Sequence, residues 1–236
     1  MNASAFADDF QRDGFAVIPR LFNRDETDKL KTECKRIVRQ VAAEAEAQGR
    51  DPKTLFPAGV CVGLVQRSKL FHQAVADPRL LDALEALLGS DIRFLSDKVC
   101  FKNEHTTFDS PWHQDWSYWG HDHKISIWVA LDDATTANGC LKLLPGSHKR
   151  HLTHDGDASD GHGFGHRLDP KSVDETDAVT AEIEAGGAVF FHDLTLHASH
   201  PNAEKQDRWV WIPTYHDAKG DEPLKRWNAA RVVRGG

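Results

Sequence analysis

The stretch SPWHQDWSYWG, residues 110–120, sets His113 and Asp115 two apart in a run that contains three tryptophans. On an extended segment alternate residues share a face, so His113 and Asp115 can offer a nitrogen and an oxygen to one point while Gln114 faces away. Two ligands do not hold a metal. A third is available downstream in FFHDLTLHASHPNAEKQDRWVW, where His192, His197 and His200 all qualify. Two histidines and one carboxylate on one face leave three positions open, which suits a non-haem Fe(II) that must bind both a co-substrate and O2. Zinc more often takes three histidines, two histidines with Glu, or thiolates. Arg208 follows His197 by eleven residues, and a strand, turn and strand between them would bring its guanidinium back beside the metal. A bidentate guanidinium is suited to the remote carboxylate of a dicarboxylic co-substrate, and Ser199, on the face of His197, adds a hydroxyl.

The other aromatic and imidazole residues read differently. Trp116 and Trp119, just past the ligands, and His121 are candidates to wall a substrate. His121 and His123 form an H-x-H pair with no partner at sensible spacing. His148, His151 and His154 flank Lys149 and Arg150 and read as a solvated basic patch, and His192 as a histidine at the core edge. GHGFGH, residues 161–166, lacks the strand before and the helix after that a phosphate loop needs.

The elements that must position these residues fall into two textures. Phe15 to Ile18 reads as a strand entering a turn at Pro19. A helix follows, with Asn23 as N-cap, Leu30, Cys34, Ile37, Val38 and Val41 at helical spacing, and Gly49 closing it. A second helical region runs from about 68 to 88, broken at Pro78 and stopped by Gly89. Beyond about residue 91 come short β-branched and aromatic runs separated by Gly, Asn, Asp and Pro, the pattern of an antiparallel sandwich or barrel. The expected class is α+β, mainly β, with the helices of residues 20–90 packed outside a core of residues 91–216, all within one domain of residues 1–236. Residues 148–170 carry almost no apolar periodicity and read as a lid-like insertion beside the site.

Composition narrows the function. With 29 Lys and Arg against 36 Asp and Glu, the net charge of -7 argues against a nucleic-acid binder. No apolar run reaches the length of a membrane span, and the N-terminal segment is acidic where a signal peptide is basic. The four cysteines, Cys34, Cys61, Cys100 and Cys140, form no C-x-x-C pair and read as buried free thiols in a reducing, cytoplasmic setting. The expected partner is a small-molecule substrate, bound by a monomer or homodimer.

Taken in order, H-Q-D at 113–115, NGCLKLLPGSH at 138–148 and H-x-S-x-x-N-x5-R from His197 to Arg208 resemble the phytanoyl-CoA dioxygenase family. The opening FQRDGFAVIPRLFNRDE resembles that family's N-terminal strand and helix, so the resemblance spans roughly residues 8–216. It implies a double-stranded β-helix, a jelly-roll variant, and an Fe(II)- and 2-oxoglutarate-dependent oxygenase. His113, Asp115 and His197 would be the iron ligands, and Arg208 with Ser199 would hold the distal carboxylate of 2-oxoglutarate. Gln114 and Trp128 match positions lining the co-substrate pocket, and Lys102 is the counterpart offered for a lysine some members use. The implied reaction consumes 2-oxoglutarate and O2, releases succinate and CO2, and hydroxylates the substrate. Desaturation, cyclisation or epimerisation with the same cofactors is the alternative, as is a catalytically silent cupin-like protein. Asp115 itself favours oxidation over halogenation, since related halogenases carry a small residue there.

Overall fold

The computed structural model describes residues 2–56, 58–156 and 164–235. Five α-helices are present among them: α1 (Ala3–Asp13), α2 (Arg24–Ala47), α3 (Lys69–Ala74), α4 (Pro78–Leu88) and α5 (Trp116–Trp119). The strands are β1 (Phe15–Ile18), β2 (Val60–Val62), β3 (Ile92–Lys102), β4 (Ser110–His113), β5 (Ile125–Ala130) and β6 (Leu141–Leu143). After them come β7 (Asp155–Gly156), β8 (His166–Arg167), β9 (Val179–Ala181), β10 (Ala188–His192), β11 (His197–Ser199), β12 (Arg208–Asp217) and β13 (Arg231–Arg234).

Local chemistry sets the helix limits. Asn23 and Glu26 form a reciprocal capping box, with the Asn23 side chain accepting from the Glu26 N–H at 2.9 Å and Glu26 accepting from the Asn23 N–H at 2.8 Å. Pro78 starts α4 rather than breaking a longer helix. Its missing N–H falls in the first turn, where no intrahelical partner exists, and Asp77 caps the turn. Helix α1, which the sequence did not suggest, buries Phe6 and Phe10 four residues apart and ends at Gly14, whose φ of 84° supplies the left-handed cap.

The larger sheet is antiparallel in the order β1-β10-β5-β12-β3-β13, with β2 also on β3, and the smaller runs β4-β11-β6-β9. This is the jelly roll, and its larger sheet extends beyond residues 91–216 at both ends, through β1 and β13. One face of the larger sheet packs on the helices: Ile125, Ile127 and Val129 of β5 meet Phe6, Leu30, Ile37, Phe71 and Leu84 in one apolar cluster. The alternate residues Trp128 and Ala130 face the smaller sheet, among Leu141, Leu143, Phe191 and Ile212.

A bulge in β3 matters for the site. The pairing with β12 slips between Thr214 and Tyr215, skipping Leu95. Ile92 and Phe94 face the helices before the slip, and Val99 and Phe101 do so after it. Lys98, Cys100 and Lys102 are thereby turned toward the smaller sheet.

Candidate active site

His113 ends β4, His197 begins β11, and the two are direct cross-strand partners with ring centroids 4.2 Å apart. Asp115 does not continue the strand. It has helical φ and ψ of -59° and -31° at the head of α5, yet its Oδ1 lies 3.8 Å from His113 Nε2. The expected juxtaposition is therefore reached by a strand end followed by a helical turn, not by strand alternation. One ligand atom from each of His113, Asp115 and His197 lies within 4.8 Å of the others.

Both imidazoles are oriented in the same way. His113 Nδ1 lies 2.8 Å from the Pro111 carbonyl and His197 Nδ1 lies 2.9 Å from the Thr195 carbonyl. Such bonds place the proton on Nδ1 and leave Nε2 as a free lone pair, the tautomer a metal requires. Burial pushes His113 down to about 3, with His197 adding to the effect, and lowers His197 as well. Burial alone would raise Asp115, but Lys98, His197 and His113 outweigh it and hold the carboxyl below its usual range. At neutral pH the group is two neutral imidazoles and a carboxylate, which fits a divalent ion.

A cavity of about 100 Å³ adjoins this group, lined by Lys98, Lys102, Trp128, Phe164, Ser199 and Arg208 among others. Arg208 is buried over the face of Trp128, 5.4 Å from the ring centroid, and burial brings its guanidinium down to about 10. Its Nε and Nη1 have no hydrogen-bond partner among the described residues. Buried guanidinium nitrogens without partners are rare because desolvation is uncompensated, so the position fits an anionic ligand. Ser199 Oγ sits 2.7 Å from Ser110 Oγ. Lys102 donates to the Phe108 carbonyl, and burial followed by Arg208 takes its ammonium down to about 7. Gly139, at φ 101°, makes room for Lys102: a Cβ there would come 2.5 Å from Lys102 Cδ.

Several expected residues lie elsewhere. Gln114 is fully buried but turned from the cavity. Its amide donates to the Arg150 and Leu194 carbonyls at 2.8 and 2.7 Å and accepts from the Leu152 N–H at 2.9 Å. Gln114 thus fastens the start of the 148–170 insertion. Trp116, Trp119 and His121 are not among the described lining residues: Trp116 packs against His151 and bonds the His121 carbonyl, while Trp119 donates to Asp193. Helix α5 carries both indoles away from the cavity, whereas Tyr118 meets His113 edge-on at 6.0 Å. His154 is not solvated; its Nε2 accepts from the Gln114 N–H at 2.9 Å and its Nδ1 lies 2.8 Å from Ser117 Oγ. Residues 157–163 of the expected lid lie outside the described residues, but the flanks pair as β7 and β8, and Leu168 donates to the Trp112 carbonyl at 2.9 Å. Phe164, from this insertion, stands 5.4 Å from the His113 ring.

Sequence reasoning missed Lys98, Phe108 and Phe164. A lysine in a strand normally reads as solvated, and only the β3 bulge turns Lys98 toward Asp115. It makes no hydrogen bond or ion pair among the described residues, and Asp115 is the charge that favours its ammonium once burial has opposed it.

The site can be set beside known proteins. A profile of the phytanoyl-CoA dioxygenase (PhyH) family matches residues 10–210. The chain belongs to that family. It is 27% identical over 217 residues to an ectoine dioxygenase of Bordetella parapertussis, covering 82% of this chain and 68% of that protein. It is 27% identical over 235 residues to an L-proline trans-4-hydroxylase of Streptomyces griseoviridis, covering 88% and 84%. The structure of the apo non-haem monooxygenase ThoJ superposes with a TM-score of 0.79 at 27% identity, covering 98% of this chain and 84% of that one. The chain is an oxidoreductase of the dioxygenase type that uses Fe(II), 2-oxoglutarate and O2. Among the described residues no helix is long and apolar enough to cross a membrane.

Proposed function

We propose that His113, Asp115 and His197 hold the iron, that Arg208 receives the distal carboxylate of 2-oxoglutarate, and that the enzyme hydroxylates a small anionic or zwitterionic molecule. The observation that carries this reading is the pairing of a converged His-Asp-His group with a buried Arg208 whose Nε and Nη1 have no partner among the described residues, on one cavity. Bound there, iron would activate O2, the oxidant, one atom of which goes to succinate and the other to the product as 2-oxoglutarate loses CO2.

The chain's own residues do the rest. The Pro111 and Thr195 carbonyls hold the imidazoles in their ligating tautomer. Ser126 Oγ, 3.3 Å from Asp115 Oδ2, steadies the carboxylate. Trp128 and Phe191 exclude water around Arg208 and the histidines. Charge selects the substrate. Around the cavity the ion, Arg208 and Lys98 would carry four positive charges against three on the 2-oxoglutarate dianion and Asp115, with Lys102 lowered to about 7, so one positive charge is left without an anion. A substrate carboxylate supplies one, as L-proline, the substrate of one relative, could. The four cysteines form no disulfide, in keeping with a cytoplasmic setting.

The test is substrate-stimulated succinate release over a panel of cyclic amino acids, with L-proline and ectoine first and their amides as controls. Stimulation by acids and not amides, with a product heavier by one oxygen, is the expected result. Stimulation by amides alone would overturn the anionic reading, and a product lighter by two hydrogens would replace hydroxylation with desaturation.

A further inference from the structure

We propose that a second divalent-metal site, of the kind taken by zinc, lies at the rim of the jelly roll on His123, His192 and Asp193. It is independent of the iron reading. Strand pairing assembles it: His192 ends β10 opposite Ile125 of β5, and His123 stands two residues before that partner. One ligand atom from each of His123, His192 and Asp193 lies within 4.8 Å of the others.

The distances suit a shared ion. His123 Nδ1 and His192 Nδ1 each lie 3.1 Å from Asp193 Oδ1. Ligands with metal bonds of about 2.0–2.2 Å stand about 3.0–3.4 Å apart at angles between square and tetrahedral. Both imidazole nitrogens converge on the one oxygen, Asp193 Oδ1. The Leu194 N–H stands 3.1 Å from His192 Nδ1, and since that nitrogen has a single lone pair, an ion would take the place of this contact.

The outer groups are arranged as around a metal ligand. Asp193 is fully buried, and its Oδ2 accepts from the Lys124 N–H at 3.0 Å and the Trp119 indole at 3.3 Å, which fixes Oδ1 toward the imidazoles. A third imidazole, His148, stands 5.7 Å from the His192 ring, and its buried Nδ1 has no partner among the described residues. His123 is the exposed member, at 56% of its side-chain surface, and gives an ion its way in from solvent. Two histidines and an aspartate, with water or His148 completing the shell, suit zinc or another late first-row ion. Because the Trp116 N–H donates to the Asp193 carbonyl at 3.0 Å, an ion here would tie β10 to the start of α5.

The experiment is a cobalt(II) titration of the metal-free protein, read by visible absorption and by bound metal after dialysis. Two equivalents are expected in the native chain. His123→Ala, an exposed change that leaves the fold intact, should weaken one equivalent at least tenfold and leave the other unchanged, and His192→Gln should do the same. His113→Ala should remove only the other equivalent. A single equivalent in the native chain, abolished by His113→Ala, would overturn the second site and show His123 and Asp193 to be a proton-bridged pair. A second equivalent that survives both rim changes would overturn it as well. A native chain that binds the His123-dependent equivalent but no His113-dependent one would count against the iron reading and not against this one.

Discussion

Two clusters in this molecule have the same composition, two histidines and one aspartate, and differ in how the imidazoles are tied. In the buried cluster, His113 and His197 spend Nδ1 on backbone carbonyls and turn Nε2 inward, and a cavity with three cations adjoins them. In the rim cluster, His123 and His192 bring Nδ1 to Asp193 itself, and none of the three lines that cavity. The difference teaches that composition decides whether a metal can bind, while the second bond of each imidazole and the adjoining space decide what chemistry can follow. A third buried carboxylate, Asp97, completes the comparison. Its partners are the neutral Trp211 indole and Val65 N–H, and burial raises it to about 6.

The largest effect that could break the comparison is the loss of a buried-cluster imidazole. His113→Ala should cut substrate-dependent succinate release by more than the roughly 100-fold that changes to outer partners cost, while His123→Ala should leave turnover within about twofold. Equal losses in steady-state assays would erase the distinction.

Next is the pH dependence set by Asp97. Between its unfolded value of 3.8 and its folded value of about 6, the native chain keeps a proton that the unfolded chain releases. Stability should therefore fall as pH rises through this window, by about 3 kcal/mol. Urea unfolding from pH 4 to 7 should show this slope in the native chain and not in Asp97→Asn.

Arg208→Ala should raise the 2-oxoglutarate requirement by about 10- to 100-fold, as the loss of a charge-assisted pair of about 1.5–3 kcal/mol does. Since two of the guanidinium nitrogens, Nε and Nη1, are already without a partner among the described residues, its melting temperature should not drop. The smallest effect tests the support of the insertion. Gln114→Ala strands the Arg150 and Leu194 carbonyls and the Leu152 N–H, so it should cost about 1–3 kcal/mol and speed proteolysis near residue 150. Reduced 2-oxoglutarate affinity without that cleavage would return Gln114 to the pocket wall.

Local signals were legible because they depend on neighbours in sequence. The Asn23 cap and the β1 strand could be read directly. What depended on distant strands could not. The β3 bulge that redirects Lys98 is visible only in its register with β12, and the partners of His123 lie about 70 residues away. The period of two used for Asp115 does not hold past His113, where the backbone has already turned helical, and the same turn carries Trp116 and Trp119 away from the described cavity lining. The H-x-S-x-x-N-x5-R spacing puts His197, Ser199 and Arg208 on one cavity because β11 and β12 both contribute to its wall.

The central claim is that the His113, Asp115, His197 and Arg208 group forms one iron and 2-oxoglutarate site. Its most direct test is an anaerobic titration of metal-free protein with Fe(II) and 2-oxoglutarate, following the visible charge-transfer band. The account predicts a saturable band in the native chain that is absent in His113→Ala and needs at least tenfold more 2-oxoglutarate in Arg208→Ala. A native chain that shows no band at saturating iron, or a band indifferent to both substitutions, would contradict it.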